Sequence, residues 1–371
     1  MRRFIKALAM AISLVLCMTL FSACNSDKES SKGKDKGEFI TVTDHLGNVV
    51  EVPKEIKSVA IGKIYPMASV ISVFFDSAEI ITGMPEQCMT AAKNSLLSEL
   101  YPEILDAETG YINGANLNIE ALLELNPDVY IYNVADASHG EICRKAGIPA
   151  VAVAVNKWEY DAVTTLNSWI DLLSQLFPEN EKASVVDRYS KDILERIEQR
   201  TKDIHDAEKE KLFFLYQYSD TNIATSGSRF FGQYWADAVG AYNVGSVIDK
   251  DNSVSVNMEQ IIEWNPECIL ITNFTTATPE EIYEDEKWQT IDAVKNKRVY
   301  KMPLGMYRSY TCGVDTPVTL MWIAKTVYPE LFSDINITEE TKQYYKEVFG
   351  IELTSEQADS IFNPSKGASA Y

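Results

Sequence analysis

The chain has 371 residues, 46% of them hydrophobic, enough to bury one large or two medium cores. A formal net charge of −20 repels phosphate backbones and anionic lipid, which argues against nucleic acid as a partner and leaves solubility as the ordinary role of the acidic surface. The six cysteines include no CxxC pair, so the chain spells neither a zinc knuckle nor a dithiol redox site, and Cys143 and Cys268 read as small buried hydrophobes.

The first residues, "MRRFIKALAMAISLVLCMTLFSAC", set Arg2, Arg3 and Lys6 before an apolar run from about Ala7 to Phe21. That pattern is an export leader over residues 1–23, its apolar run short for a membrane span. Its end, "LFSAC", resembles the lipobox of bacterial lipoproteins, with Phe21 where that motif prefers Leu. The resemblance makes Cys24 a lipidated residue that ties the protein to a membrane; ordinary leader cleavage and an uncleaved anchor are the plainer readings. Loss of residues 1–23 removes three positive and no negative charges, taking the net charge from −20 to −23. Residues 24–38 are rich in Ser, Lys and Gly and predict a flexible tether.

Beyond the tether, "FITVTDHLGNVVEVP" alternates around Leu46-Gly47-Asn48 and predicts a hairpin. An N-terminal α/β lobe over residues 39–178 follows, with apolar strands at 58–62, 79–84, 128–133 and 150–155 separated by helical stretches. Such alternation predicts a parallel sheet covered on both faces. Residues 160–211 carry no strand signal. An amphipathic helix stops at Pro178, and a bridging helix over 179–208 places Val186, Tyr189, Ile193 and Ile197 three or four apart. Its ~26 helical residues would span roughly 39 Å, the width of a small lobe. A C-terminal α/β lobe over 209–371 resumes the alternation, with strands at 211–218, 242–247, 268–273 and 298–303 and closing helices. The helix-to-strand passage "NIEALLELNPD" (118–128) recurs as "NMEQIIEWNPE" (257–267), so each lobe contains the same unit. The predicted fold class is α/β: two Rossmann-like lobes with parallel-rich sheets joined by a single long bridging helix.

Six passages carry a family likeness in order: "TVTDHLGNVVEVPKEIKSVAIG", "NLNIEALLELNPDVYIYN", "SGSRFFGQYWADAVGAYNVG", "VSVNMEQIIEWNPECILITN", "WQTIDAVKNKRVYKMP" and "LMWIAKTVYPELF". Together they make the chain resemble the helical-backbone, or class III, solute-binding proteins of bacterial ABC importers. The resemblance implies a monomer that grips a small metal chelate between two lobes with little hinge motion. It delivers that ligand to an ABC permease dimer with ATPase subunits. A ferric siderophore or similar anionic iron complex is the first expectation, then a corrinoid or haem. Molybdate or tungstate follows, because "VDTPVTLMWIAKTVYPELF" is also similar to members handling those. No cofactor of the protein's own is implied.

In open α/β sheets ligands sit beyond the carboxyl ends of the strands. The loops expected there hold Tyr65, Trp158, Tyr218, Arg229, Phe230, Tyr307 and Arg308, with Tyr310 beside them. Aromatic faces with a few guanidinium forks suit a bulky anionic ligand. The plainer reading pairs each Arg with a surface carboxylate and sends most rings to the core. Glu120 and Glu259 each follow a capping Asn and stabilise a helix N-terminus. The resemblance adds that they offer one carboxylate per lobe to permease arginines. His45, His139 and His205 are too scattered to gather a bare metal ion. Enzyme motifs (GxSxG, the P-loop, GxGxxG after a strand) are missing, leaving an enzyme acting on a chelate in the cleft as the reading from another class.

Overall fold

A computed structural model describes residues 38–178 and 183–369. The leader, Cys24, the tether to residue 37 and residues 179–182 of the bridging segment lie outside the described residues. Among the described residues no helix is long and apolar enough to cross a membrane.

The chain enters as an antiparallel hairpin of β1 (Phe39–Thr43) and β2 (Val49–Pro53). A parallel sheet follows: β3 (Val59–Ile61), β4 (Ile81–Gly83), β5 (Val129–Asn133) and β6 (Ala150–Val153), in the order β4-β3-β5-β6. The second half contains β7 (Lys211–Leu215), β8 (Gln217–Ser219), β9 (Asn222–Ser226), β10 (Tyr242–Asn243), β11 (Ser253–Val256), β12 (Cys268–Ile271) and β13 (Val299–Lys301). Its parallel sheet runs β10-β7-β12-β13. In both sheets the second strand pairs outside the first and the third lies on the first strand's other side. The two halves share one topology.

Each sheet is buried on both faces, and side-chain alternation divides the burial. In the first sheet Val59, Ile61, Val129, Ile131, Val151 and Val153 enter one large core, while Ala60, Tyr130, Tyr132, Ala150 and Ala152 pack with Tyr111 and Leu122 on the opposite face. In the second sheet Leu212, Phe214, Cys268 and Leu270 join that same large core, and Phe213, Leu215, Ile269 and Ile271 form a cluster with Trp288. One core therefore receives a face from each sheet. Residues 39 onward accordingly form one compact unit.

Helices fill the space between. In chain order they include α1 (Met67–Phe75), α2 (Ile119–Leu125), α3 (Ala162–Leu176), α4 (Ala183–Thr201), α5 (Phe231–Val239), α6 (Met258–Trp264), α7 (Thr316–Val327) and α8 (Ile337–Phe349). The bridging helix α4 buries Val186, Ser190, Ile193, Ile197 and Thr201 and packs on α3, α5, α7 and α8. Its outer side is clamped by Arg196, whose Nη2 reaches Glu340 at 3.0 Å, and by Arg200, whose Nη2 reaches Asp334 at 2.9 Å. The Arg200 guanidinium pulls the Asp334 carboxyl down to about 2.

The bridging helix stops at Thr201, short of the expected end, because its buried stripe stops there. Lys202 and Asp203 are exposed, and a short 3-10 turn at Asp206–Glu208 leads into β7. Two further differences lie in the second lobe. The strand expected over 211–218 divides into β7 and β8, and β8 turns away into an antiparallel sheet with β9 and β11. The strand expected over 242–247 keeps two residues before a 3-10 turn.

The recurring passage is the same device in each lobe. The Asn118 and Asn257 side chains accept from the amides of Ala121 and Gln260, capping α2 and α6. Asn126 (φ 50°) and Asn265 (φ 44°) end the helices in the left-handed region, a role Asn tolerates. Pro127 and Pro266 then forbid continuation, and the central strands β5 and β12 begin.

Candidate ligand-binding cleft

Strand order reverses between β3 and β5 in the first sheet and between β7 and β12 in the second. At such a switch point neighbouring loops leave in opposite directions and open a crevice beyond the strand ends. The residues following these strands meet there. Lys63, Ile64 and Tyr65 come after β3, Asn133 ends β5 with Ala135 in the turn beyond it, Tyr216 follows β7 and Phe274 follows β12. The loops after the fourth strands add Val155, Asn156 and Tyr160 from the first lobe and Tyr307, Arg308, Thr311 and Cys312 from the second. They enclose a cavity of about 420 Å³.

Of the seven predicted ligand residues, Tyr65, Phe230, Tyr307 and Arg308 line this cavity. The other three are placed elsewhere. The Tyr218 hydroxyl donates to Asp285 at 2.5 Å, and its ring packs edge-on against Trp288, because β8 carries it outward. Arg229 sits on the surface, its Nε 2.7 Å from Asp249. Trp158 packs its ring against His45 of the entry hairpin at 5.1 Å. The next two residues, Glu159 (φ 53°) and Tyr160 (φ 60°), both adopt left-handed backbone, and this turn brings Tyr160 into the cavity in its place. Tyr310 is fully buried, accepting from the Gly232 amide at 3.1 Å.

Sequence reasoning missed Tyr160, Trp169, Tyr216, Phe231 and Phe274. Trp169 lies on α3, its indole N–H donating to the Ala154 carbonyl at 2.6 Å. Tyr216 stacks on Phe274 with centroids 5.2 Å apart and meets Phe230 at 5.9 Å, so the second-lobe wall is a continuous set of rings, and Phe230 closes on Tyr160 of the first lobe at 5.0 Å.

Charge in the cleft is positive in an acidic protein. Arg308 is 1% exposed, with its guanidinium 5.1 Å above the Phe274 ring. Lys63 at the wall pairs with Asp136 at 2.8 Å. Behind Phe274, the Lys301 ammonium donates to the carbonyls of Thr272 (2.9 Å), Thr275 (2.6 Å) and Ala277 (3.0 Å), pinning that loop from within. Burial pushes this amine down to about 7; Glu281 opposes that fall, and Arg308 adds to it. Three carbonyl acceptors favour the charged form. Burial raises the Cys88 and Cys312 thiols, which leaves them protonated and unsuited as thiolate metal ligands. Among the described residues no three His, Cys, Asp or Glu side chains gather to hold a metal ion.

The loop bearing Tyr307 and Arg308 is held by a buried carboxylate. Asp315 accepts from the Met306 amide at 2.7 Å and from the Tyr345 hydroxyl. Its carboxylate lies so close to Gly305 that any added Cβ there would come within 2.5 Å. A bridge between Leu304 and Arg308 closes the loop. Burial lifts the Asp315 carboxyl to about 6.

Two lobes of matching topology around a ligand-sized cavity are the architecture of a two-lobed solute-binding protein. The chain belongs to the periplasmic binding protein family, whose profile matches residues 89–304, and is the solute-binding component of an ABC importer. It is similar to the molybdate-binding protein MolA of Haemophilus influenzae, 26% identical over 83% of this chain and 90% of that one. It is also similar to the iron(3+)-hydroxamate-binding protein FhuD of Bacillus subtilis, 25% identical over 83% of this chain and 94% of that one. Among solved structures, a periplasmic solute-binding protein from Veillonella parvula superposes with a TM-score of 0.78 at 27% identity, covering 88% of this chain and 97% of that one.

A carboxyl raised to about 6 in the folded chain binds a proton that the unfolded chain has already released. Stability from Asp315 is therefore present below pH ~4 and lost as pH rises through ~6. Relative to Asp315→Asn, the native protein should lose about 1–3 kcal/mol of unfolding free energy across that window. Urea melts at stepped pH check this; a constant gap between the two proteins would contradict it.

Proposed function

We propose that the cavity captures an anionic metal chelate of the ferric siderophore class and that the loaded protein hands it, without turnover, to an ABC permease dimer with ATPase subunits. One observation carries the reading. The cavity is walled by aromatic rings, holds the buried Arg308 guanidinium, and has no carboxylate among its lining residues, in a chain with 54 acidic residues. Its volume of about 420 Å³ falls within the roughly 300–1,000 Å³ that holds drug-sized ligands. Rings give a planar or bulky ligand contact area, and the guanidinium fork answers carboxylate, hydroxamate or catecholate oxygens.

The similarity to a molybdate-binding protein favours a second reading, a tetrahedral oxyanion. Such an ion is a handful of atoms and would leave most of the aromatic wall without contact.

Titration followed by tryptophan fluorescence separates them, since Trp169 lines the cavity. Ferric hydroxamate, ferric catecholate, haem and molybdate form the panel. A ferric chelate should saturate the signal, and Arg308→Ala should weaken it about 10- to 100-fold, the worth of hydrogen bonds to a charged group. Saturation by molybdate alone, or unaltered affinity in the variant, defeats the proposal.

The exposed Glu120 and Glu259, in the first turns of α2 and α6, support docking of one lobe to each permease subunit. Glu120→Lys with Glu259→Lys should abolish uptake and leave ligand affinity intact; weakened ligand binding would refute that role. The leader and Cys24 support anchoring by lipid on the extracytoplasmic face. Cys24→Ser should release the protein from the membrane fraction, and its retention there would count against lipidation.

A further inference from the structure

The recurring helices α2 and α6 expose more than their glutamates. Leu123 is 47% exposed and Ile262 is 46% exposed. Each lies three residues after Glu120 or Glu259 and directly before a second exposed acid, Glu124 or Glu263. Three residues apart on a helix share a face. The neighbouring positions Leu122 and Ile261 are fully buried in both helices, so the register against the core is the same. An aliphatic side chain is thus held in water at equivalent points of the two lobes.

The topology also sets the glutamate-bearing end of both helices on the cleft side of the molecule, with the aliphatic residue one turn further along. Each helix is followed, after a left-handed Asn and a Pro, by the central strand of its sheet, β5 or β12. Chain reversal sets the helix N-terminus level with the strand's carboxyl end, where Asn133 and Phe274 line the cavity. Each patch carries two exposed acids and neither helix contains a Lys or Arg, so an electrostatically complementary surface is basic. Like charge on both patches disfavours a second copy of this chain as the occupant. Two equal patches, one per lobe, fit a partner built from two equal subunits.

We propose that Leu123 and Ile262 are paired apolar contacts, each seated in an apolar recess beside a basic group on one of the two like subunits of a membrane permease. The proposal rests on the reading of Glu120 and Glu259 as docking residues and adds to it a contact that salt does not screen. Charge then sets approach and register, and the aliphatic pair sets how long the complex lasts.

The test uses the unliganded full chain and its cognate permease–ATPase complex in phosphatidylglycerol-containing vesicles, reading the half-saturating concentration for ATPase stimulation at several salt concentrations. Leu123→Asn with Ile262→Asn should raise that concentration at least tenfold, leave its salt dependence unchanged, and leave the melting temperature unchanged because both sites are exposed. Glu120→Gln with Glu259→Gln should instead flatten the salt dependence. If the asparagine pair acts like the native protein while the glutamine pair fails, the apolar contact is overturned and the docking reading stands. If both pairs act like the native protein, the docking reading falls and takes this proposal with it. Self-association that Leu123→Asn abolishes would assign the face to a second copy and overturn it as well.

Discussion

The shared core between the two sheets is the constraint on which the rest depends. Val59, Ile61, Val129 and Ile131 of one sheet and Leu212, Phe214 and Leu270 of the other belong to a single packed cluster, with Val186, Ile193 and Ile197 of the bridging helix inside it. A fully buried aliphatic side chain contributes about 1.5–3 kcal/mol. Separating the lobes would expose many such groups at once. The spacing of the two switch points is therefore held by the packed interior between them.

Much of this was legible because parallel strands buried on both faces, such as "VAI", "AVAV" and "CILI", read as unbroken apolar runs, while the edge strands "YN" and "VYK" were placed by the strand–helix alternation around them. Strand ends were not legible. Moving the end of β7 from Tyr218 back to Leu215 exchanges Tyr218 for Tyr216 at the rim, and nothing in "FFLYQY" marks which tyrosine stands last. The antiparallel sheet that takes Tyr218 away is built from segments of only three to five residues, such as "QYS" and "SVSV", too short for their pattern to stand out. Trp158 and Tyr160 exchanged places for a different reason. Two successive left-handed residues, neither Gly nor Asn, reverse the chain there, a conformation that local sequence does not advertise. Arg229 and Arg308 looked alike in sequence. Only the tertiary fold sets Asp249 beside the first and buries the second against Phe274.

Within the cleft, polarity is organised from behind. Asp315 holds the backbone under Tyr307 and Arg308, and Lys301 holds the backbone under Phe274, yet neither side chain lines the cavity. The wall residues can thus vary in shape while the buried Asp315 and the half-buried Lys301 keep their supporting loops in place. Low exposure strengthens each of these hydrogen bonds, since water does not compete for them.

The Lys301 latch has a further consequence. Three converging carbonyls are a familiar seat for a hard metal ion, and here an ammonium on a covalent stem occupies it. An ion at such a seat would depend on its supply and could be lost to any free chelator. This clasp cannot be sequestered, because it is part of the polypeptide.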